Sequence, residues 1–128
     1  MAKITTIPLF KDKHLSAGDS GTSDNIDLRY ISNKGRFSLS HSIAAGTATT
    51  CGTTIFEYKG CSIVDGTYVS GNPSAGTSGT IGTSGPTIAG KITHFTPVLT
   101  PFMRIIATQV GAGTDGADSL VTAELNVQ

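Results

Sequence analysis

The sequence contains no tryptophan, only two cysteines and only two methionines among its 128 residues. Charged side chains are also scarce: nine Lys and Arg residues balance nine Asp and Glu residues, so the formal net charge is zero. A nucleic-acid-binding protein needs a basic surface to displace counterions from phosphates, and a domain held on anionic lipid needs basic clusters. The balanced composition therefore argues against both nucleic acid and membrane as partners.

Long apolar runs are missing as well, and none approaches the ~20 residues that a helix needs to cross a bilayer. The N-terminal segment lacks the extended apolar centre of a secretory signal, and Lys11, Asp12 and Lys13 follow it at once. We therefore expect a protein that is made in the cytoplasm and has no signal peptide. In that compartment Cys51 and Cys61 are expected to be two reduced, part-buried thiols rather than a disulfide.

What the sequence does contain is glycine, with sixteen residues, together with many threonines and serines. This mixture favours short strands joined by turns and disfavours long helices. The clearest pattern is at the C-terminus, where apolar and polar side chains alternate strictly. Successive side chains of a strand point to opposite faces, so the pattern predicts a strand with one face on a core and one in solvent. The apolar positions are Val121, Ala123, Leu125 and Val127.

The same alternation recurs along the chain and predicts about seven or eight short strands separated by turn residues. An Asp65-Gly66 pair between two apolar runs is typical of a two-residue hairpin turn. A chain of this length is one domain. The sequence thus predicts an all-β, single-domain antiparallel β-sandwich of jelly-roll or Ig-like type. The predicted strands lie at 26–30, 37–43, 54–58, 61–64, 67–69, 91–95, 102–110 and 120–128.

The last two predicted strands are expected to form a C-terminal hairpin. Met103 and Ile105 would then face the same core as Leu125. With that arrangement, Arg104 and Glu124 would lie on the opposite wall, close enough for a cross-strand ion pair.

Two segments depart from the strand pattern. Residues 1–22 are predicted to be an N-terminal arm, because Pro8 disfavours a central strand position there; residues 23–128 then form the sandwich. The alternative is an ordinary first strand that packs on its own domain. Residues 71–90 are predicted to be a Gly/Ser/Thr-rich ordered surface loop. Its apolar anchors would be Ile81 and Ile88.

No candidate motif specifies a reaction. Residues 111–116 match G-x-G-x-x-G, but a strand follows them instead of the helix that a dinucleotide site needs, so we interpret them as a hairpin loop. The loop aspartates supply too few oxygens for calcium. His14, His41 and His94 have no partner at metal-ligand spacing, and His41 is predicted to be a hydrogen-bonded core or interface residue. We therefore expect no catalytic, cofactor-binding or metal-binding residues.

The order of these segments resembles that of small structural proteins of tailed bacteriophages. The resemblance covers most of the chain and is strongest over 95–108 and 121–128, with further similarity at 26–28, 35–40, 56–58 and 65–69. It implies a non-enzymatic virion structural protein: a capsid decoration (cement) protein that binds and stabilises the assembled shell, or a phage tail or baseplate subunit. We favour decoration, because the chain has no long repeats or coiled-coil heptads of the kind expected in a fibre shaft.

The resemblance also implies where the protein is found and what it binds. It would be located in the virion after synthesis in the host cytoplasm, and its partners would be the major capsid protein or other virion proteins. It would also bind itself as a homo-oligomer, and a trimer would match local three-fold positions of a shell. The predicted arm would supply the contacts by strand addition or draping. Its apolar anchors for a partner are Ile4, Ile7, Leu9 and Phe10.

A different class of function remains open. A carbohydrate-binding β-sandwich module has the same architecture, and the hydroxyl-rich segment 71–90 could present donors and acceptors to sugars. Such sites usually stack sugar rings on exposed aromatic side chains. The absence of tryptophan and the presence of only three tyrosines argue against this alternative.

Overall fold

The computed structural model describes residues 3–16, 18–31, 35–45, 53–70, 80–84, 88–98, 100–110 and 118–128. Within these ranges the chain forms ten strands and no helix, which confirms the predicted all-β class. The strands are β1 (Thr5–Ser16), β2 (Ser20–Thr22), β3 (Ile26–Asp27), β4 (Phe37–Ala45), β5 (Thr53–Cys61), β6 (Val69–Ser70), β7 (Thr80–Ser84), β8 (Ile88–Phe95), β9 (Phe102–Val110) and β10 (Asp118–Val127).

The strands form two antiparallel sheets that pack as a sandwich. Sheet A has the order β1-β10-β4-β8. In sheet B, β9 and β5 are central, β2 and β3 pair with the outer side of β9, and β6 and β7 pair with the outer side of β5. Strands β2 and β3 share one place in sheet B, and β6 and β7 share another. The ten strands therefore occupy eight places, which we number in chain order.

In this numbering the first place pairs with the eighth, the second with the seventh, the third with the sixth, and the fourth with the fifth. That is one long hairpin rolled up into two sheets, which is the connectivity of a jelly roll. Of the two sandwich types that the sequence left open, the jelly roll is therefore the one found.

The core lies between the sheets and consists of the inward-facing apolar residues of the long strands. The predicted inward face of β10 is confirmed, because its four apolar side chains are at most 1% exposed. The inward-facing side chains of β9 meet them from the opposite sheet and are 0% exposed. Burial of the Val, Leu, Ile and Met side chains among them contributes about 1.5–3 kcal/mol each to folding. The residues from these two strands are Met103, Ile105, Ala107, Val121, Ala123, Leu125 and Val127.

The predicted C-terminal hairpin is wrong, because β9 and β10 belong to different sheets. Arg104 lies on the outer face of sheet B and stacks on Tyr68, whereas Glu124 is exposed on the outer face of sheet A. The expected Arg104–Glu124 pair therefore does not form. The alternation of apolar residues correctly predicted which side chains of β10 face the core. It does not show whether β9 lies beside β10 in the same sheet or opposite it across the core.

The predicted N-terminal arm is a strand of the sandwich. β1 pairs antiparallel with β10 from Thr5 opposite Val127 to Ser16 opposite Asp118, and β2 then pairs with β9 in the other sheet. Pro8 fits because β1 is at the edge of sheet A, where one side of the backbone needs no hydrogen-bonded neighbour. The alternative of an ordinary first strand is thus the one found.

This placement changes the role of the four predicted anchor residues. Phe10 is buried in the core, and Ile7 and Leu9 are partly buried against it. Ile4, which is 61% exposed, is the member of the four that stays largely accessible. The other three side chains, which were expected to contact another protein, pack on the domain itself.

The predicted loop at 71–90 is strand in part. Thr80–Ser84 forms β7 against β5, and Ile88 begins β8. Ile81 is buried in the core, as expected of an anchor. Residues 71–79 and 85–87 lie outside the described residues, so the interpretation of these positions as loop is untested.

The hairpin predicted at Asp65-Gly66 exists, but its loop is longer than two residues. Strand β5 ends at Cys61 and β6 begins at Val69, with Gly60 opposite Val69. Inside the loop, the backbone N–H of Gly66 donates to the carbonyl of Ile63 over 3.1 Å. The turn signal was correct, and Cys61 and Val69 lie in strands as predicted, whereas Ile63 and Val64 were wrongly assigned to a strand.

We expect the two faces of β10 to differ sharply in their contribution to stability. Leu125→Ala should lower the free energy of unfolding by ~2–5 kcal/mol, because it removes a fully buried side chain and leaves a cavity. Glu124→Ala, at the neighbouring exposed position, should change it by less than about 0.5 kcal/mol. Urea unfolding of the two variants measures the difference, and similar losses would contradict the assignment of the faces.

Candidate functional site

Three strands of sheet B bring two connecting segments to the same end of the sandwich. Phe102 of β9 lies between Asp27 of β3 and Cys61 of β5. Strands β3 and β5 are both antiparallel to β9 and so run in the same direction. The turn at 28–31 and the hairpin loop at 62–68 consequently leave sheet B at the same end. We use the name hairpin end for this region. It comprises the turn at 28–31, the loop at 62–68 with the adjacent Val69, and the neighbouring side chains Phe102 and Arg104 on the outer face of β9.

The turn at 28–31 is held by one carboxylate. Asp27 accepts hydrogen bonds from the backbone N–H of Arg29 at 3.0 Å and from its guanidinium at 3.0 and 2.9 Å. The hydrogen bond to the backbone two residues ahead is an Asx-type turn, which explains why the strand predicted at 26–30 ends at Asp27. The side-chain hydrogen bonds from Arg29 also lower the pKa of Asp27 below its ordinary value. The carboxylate therefore stays charged and keeps the guanidinium in place.

The guanidinium of Arg29 also contacts two aromatic rings. Its carbon lies 4.8 Å from the centre of the Phe102 ring and 5.0 Å from the centre of the Tyr30 ring. Both distances are within the range of a cation–π contact. Phe102 is buried, whereas Tyr30 is 82% exposed. The ion pair and the two rings thus present an exposed tyrosine on a turn that is already ordered.

A second arginine–aromatic stack lies beside the first. Arg104 places its guanidinium carbon 4.1 Å from the ring centre of Tyr68, and its Nε donates to the side-chain oxygen of Asn25. The hydroxyl of Tyr68 donates to the carbonyl of Val64 over 3.1 Å. Desolvation raises the pKa of Tyr68, so this hydroxyl stays protonated and keeps donating. The stack thereby fixes the hairpin loop against the face of sheet B.

The hairpin end also carries most of the exposed apolar surface. Four of the six large apolar side chains that are exposed among the described residues belong to it. Isolated exposed apolar residues are ordinary, but a group of them beside Tyr and Arg has the composition of a protein-binding hot spot. The four are Tyr30, Ile63, Val64 and Val69.

Sequence reasoning did not find this surface. Arg29, Tyr68 and Arg104 are far apart in the chain and share no spacing that would identify them as a set. Ile63 and Val64 were interpreted as part of a strand. Only the register of β3, β5 and β9 brings these residues together, and no local pattern encodes that register.

The outer face of sheet A has a different character, because it is lined by hydroxyl and amide groups. The side-chain nitrogen of Asn126 donates to Ser38 at 3.3 Å and to Ser40 at 3.1 Å. Its side-chain oxygen accepts from the hydroxyl of Thr6 at 2.8 Å. These hydrogen bonds join β1, β10 and β4 in a polar network along the surface.

An open groove lies on this same face, beside the edge strand β8. Its volume is ≈ 570 Å³, and its lining offers hydroxyls, one carboxylate and one ammonium group. It contains no Phe or Tyr ring from the described residues on which a sugar could stack. The lining residues are Ser40, His41, Ser42, Gly90, Lys91, Ile92, Thr122 and Glu124.

The histidines have structural environments. His41 is buried, its Nε2 lies 3.1 Å from the hydroxyl of Thr93, and its ring centre lies 4.7 Å from that of Phe56. This confirms the prediction of a hydrogen-bonded core residue. Burial, with a smaller contribution from the charge of Lys91, lowers the pKa of His41 to about 4, so its ring is neutral near pH 7. His94 lies on the outer face, with its Nδ1 3.1 Å from a backbone carbonyl.

Among the residues that the structure describes, no group of three or more His, Cys, Asp or Glu side chains could hold a metal ion. Cys61 is a free, buried thiol, as predicted. Cys51 lies outside the described residues. The part of the chain that the structure covers also has no helix with the length and apolar character of a membrane span.

No protein-family model matches this chain, and no curated protein is significantly similar to it. The resemblance to small structural proteins of tailed bacteriophages therefore stays a prediction. The candidate surfaces rest on the geometry of this molecule alone.

The buried imidazole of His41 makes stability depend on pH. Its pKa is about 4 in the folded chain and 6.5 when unperturbed. The unfolded chain therefore binds the proton first, and stability falls as the pH drops from about 6.5 to about 4. We expect this group to account for a loss on the order of 2–3 kcal/mol, which urea unfolding at several pH values would measure.

His41→Gln should be less stable than the wild type at pH 7, because it loses the ring contact, but its stability should fall less on acidification. The matched variant His94→Gln should keep the wild-type dependence, since this residue is exposed. If the stabilities of the wild type and His41→Gln fall in parallel between pH 6.5 and 4, His41 is not the responsible group.

Proposed function

We propose that this chain is a non-enzymatic virion structural protein, namely a capsid decoration protein that binds and stabilises an assembled shell. The observation that carries the proposal is the hairpin end. Two arginine–aromatic stacks there lie beside an exposed tyrosine and three exposed aliphatic side chains. Aromatic and arginine side chains contribute most of the affinity at protein interfaces, and the hydrogen bonds that hold the turn and the loop reduce the backbone ordering that docking would require.

The environment of the titratable groups supports binding rather than catalysis. His41 is neutral and hydrogen-bonded inside the core, and His94 contacts a backbone carbonyl. Asp27 is occupied by its ion pair with Arg29. These three side chains therefore have structural roles in the positions where the fold places them.

The architecture is compatible with a place in a shell. Jelly rolls occur in viral capsid domains and in lectins, although a fold by itself does not fix a function. With a net charge of zero, electrostatic steering contributes little, so affinity would come from the apolar and aromatic contacts of the hairpin end. On a repeated surface many moderate contacts add up. The partners would be the major capsid protein or other virion proteins, together with further copies of this chain.

The position of the binding surface differs from the one expected from the sequence. Residues 5–16 are strand β1 and cannot act as a detached clasp without leaving sheet A. The hairpin end takes over that role in the proposal. The same surface would also serve a tail or baseplate subunit, which would differ from a decoration protein in location and copy number.

The hairpin end is tested by cosedimentation of the purified protein with capsid shells assembled without it. Tyr30→Ala and Ile63→Ala should each weaken binding about tenfold, as expected for the loss of a hot-spot side chain. Both residues are exposed, so folding should be unaffected, which circular dichroism would verify. Ile4→Ala removes a similarly exposed side chain outside the hairpin end and should bind like the wild type.

Failure of the wild-type protein to sediment with shells would contradict the decoration role. Equal binding by all three variants would show that a different surface is used. Immunogold labelling of virions separates the remaining possibilities, since label on the tail instead of the shell would favour the tail or baseplate subunit.

The groove on sheet A favours a second candidate, a carbohydrate-binding module. Ser40, Thr122 and Glu124 present the hydroxyl and carboxylate groups that could recognise a sugar. A glycan array tests this function directly. Binding that is lost in Glu124→Ala and retained in Tyr30→Ala would support it, and an array without specific binding would exclude the glycans tested.

A further inference from the structure

A second, smaller groove lies on the outer face of sheet A, near the start of β1 and the end of β10. Its volume is ≈ 290 Å³, and we call it the end groove. No Asp or Glu side chain of the described residues lines it, whereas Glu124 lines the larger groove on the same face. The residues that line the end groove are Ile4, Arg36, Phe37, Ser38, His94, Asn126 and Gln128.

The register of sheet A places the polar residues of the end groove in two neighbouring rows. Ser38 of β4 lies opposite His94 of β8 and opposite Asn126 of β10. Beyond this row, the backbone N–H of Arg36 donates to the carbonyl of Gln128 over 3.2 Å, and the N–H of Gln128 donates to that of Arg36 over 2.9 Å. Side chains two positions apart on a strand point to the same face, so Arg36 lies next to Ser38 on the outer face.

Asn126 orients one of the groups in the end groove. Its side-chain nitrogen donates to Ser38 and to Ser40, and its oxygen accepts from Thr6, so the whole amide is used within sheet A. The oxygen of Ser38 is the acceptor in this contact at 3.3 Å. Its hydroxyl hydrogen is therefore left to donate to a ligand.

His94 supplies an acceptor. Its Nδ1 lies 3.1 Å from the carbonyl oxygen of Phe37. A carbonyl has no hydrogen to donate, so Nδ1 carries the proton in this contact. In the neutral ring Nε2 then has a lone pair, which can accept a hydrogen bond from a ligand hydroxyl.

Arg36 supplies the positive charge of the end groove. Its side chain is exposed, and no carboxylate of the described residues forms an ion pair with it. A guanidinium presents its N–H groups in a planar fork that matches the two oxygens of a carboxylate. The end groove thus combines a carboxylate-binding group with one hydroxyl donor and one hydroxyl acceptor.

We propose that the end groove binds a sugar acid, that is, a monosaccharide unit that carries a carboxylate. Arg36 binds the carboxylate, Nε2 of His94 accepts from a sugar hydroxyl, and the hydroxyl of Ser38 donates to a sugar oxygen. Ile4, which is 61% exposed, offers an apolar surface to the C–H groups of the ring. The site requires neither the hairpin end nor a shell, so the proposal does not rest on the proposed virion role.

The combination of groups distinguishes a sugar acid from simpler ligands. Acetate would bind Arg36 but would leave Ser38 and His94 without ligand contacts. Inorganic phosphate is usually bound by several cations or several backbone N–H groups, and Arg36 is the one Lys or Arg among the described lining residues. A neutral sugar would leave the guanidinium without a counter-charge. A carboxylate and hydroxyls on one ring satisfy all three groups.

NMR of the backbone amides of the full chain, titrated with sodium glucuronate, tests the site. Saturable shifts are expected at residues 36–38, 94 and 126–128, with a Kd on the order of 1 mM, because a single sugar on an open groove makes few contacts. Glucose lacks the carboxylate and acetate lacks the hydroxyls. Each should therefore bind at least about tenfold more weakly.

Variants identify the groups that bind the ligand. Arg36→Gln should weaken glucuronate binding at least about tenfold, and its exposed side chain should not be needed for folding, which the amide spectrum would verify. Lys91→Gln removes one positive charge from the larger groove and should bind glucuronate like the wild type. His94→Leu should weaken binding of glucuronate but not of acetate, because only the sugar has a hydroxyl for Nε2.

Three results would overturn the proposal: no saturable shifts up to about 50 mM glucuronate, shifts at other surfaces only, or unchanged binding by Arg36→Gln. Acetate or phosphate binding as tightly as glucuronate would show a non-specific anion contact only. Tyr30→Ala and Glu124→Ala should bind glucuronate like the wild type. Loss of shell binding in Tyr30→Ala would leave this site intact, so the two proposals fail separately.

Discussion

The pairing of the last strand with the first is the interaction on which the rest of the structure depends. Strand β10 lies between β1 and β4 in sheet A. Its inward side chains are at most 1% exposed and face those of β9 across the core. If β10 were removed, β1 would lose its only neighbour and sheet A would be reduced to β4 and β8. The four strands of sheet A are therefore joined only when the first strand and the last strand pair.

The rolled hairpin also gives the two outer faces different chemistry. Sheet A exposes serine, threonine and asparagine side chains that bond to one another across three strands. Sheet B ends in two arginine–aromatic stacks with exposed apolar groups beside them. Affinity for proteins depends on buried aromatic and arginine contacts more than on area, so the two faces are suited to different partners. A single small domain thus presents an end with exposed aromatic and apolar side chains and, on the other sheet, a polar wall.

Much of the fold was predictable, whereas the candidate site was not. The strands predicted at 37–43 and 54–58 are present, because each alternates between a buried and a more exposed face. The strand predicted at 102–110 is also present, although Ile105, Ile106 and Ala107 are buried in succession. Residues 1–22 were predicted as an arm since β1 alternates poorly; its register shifts and Pro8 break the period that identifies a strand. Residues 80–84 carry few large side chains, and this weak pattern concealed β7.

The sequence by itself determined the all-β class, the inward faces of the long strands and the buried state of residues such as His41 and Leu125. These follow from alternation, which is a local property of a pleated strand. The tertiary structure alone decided that β9 and β10 lie in opposite sheets, that Arg104 meets Tyr68 instead of Glu124, and that β1 and β8 form the two edges of sheet A. The physical reason is that backbone hydrogen-bonding groups are the same at nearly every residue, so the choice of neighbour is made by the packing of the whole chain and not by any segment of it.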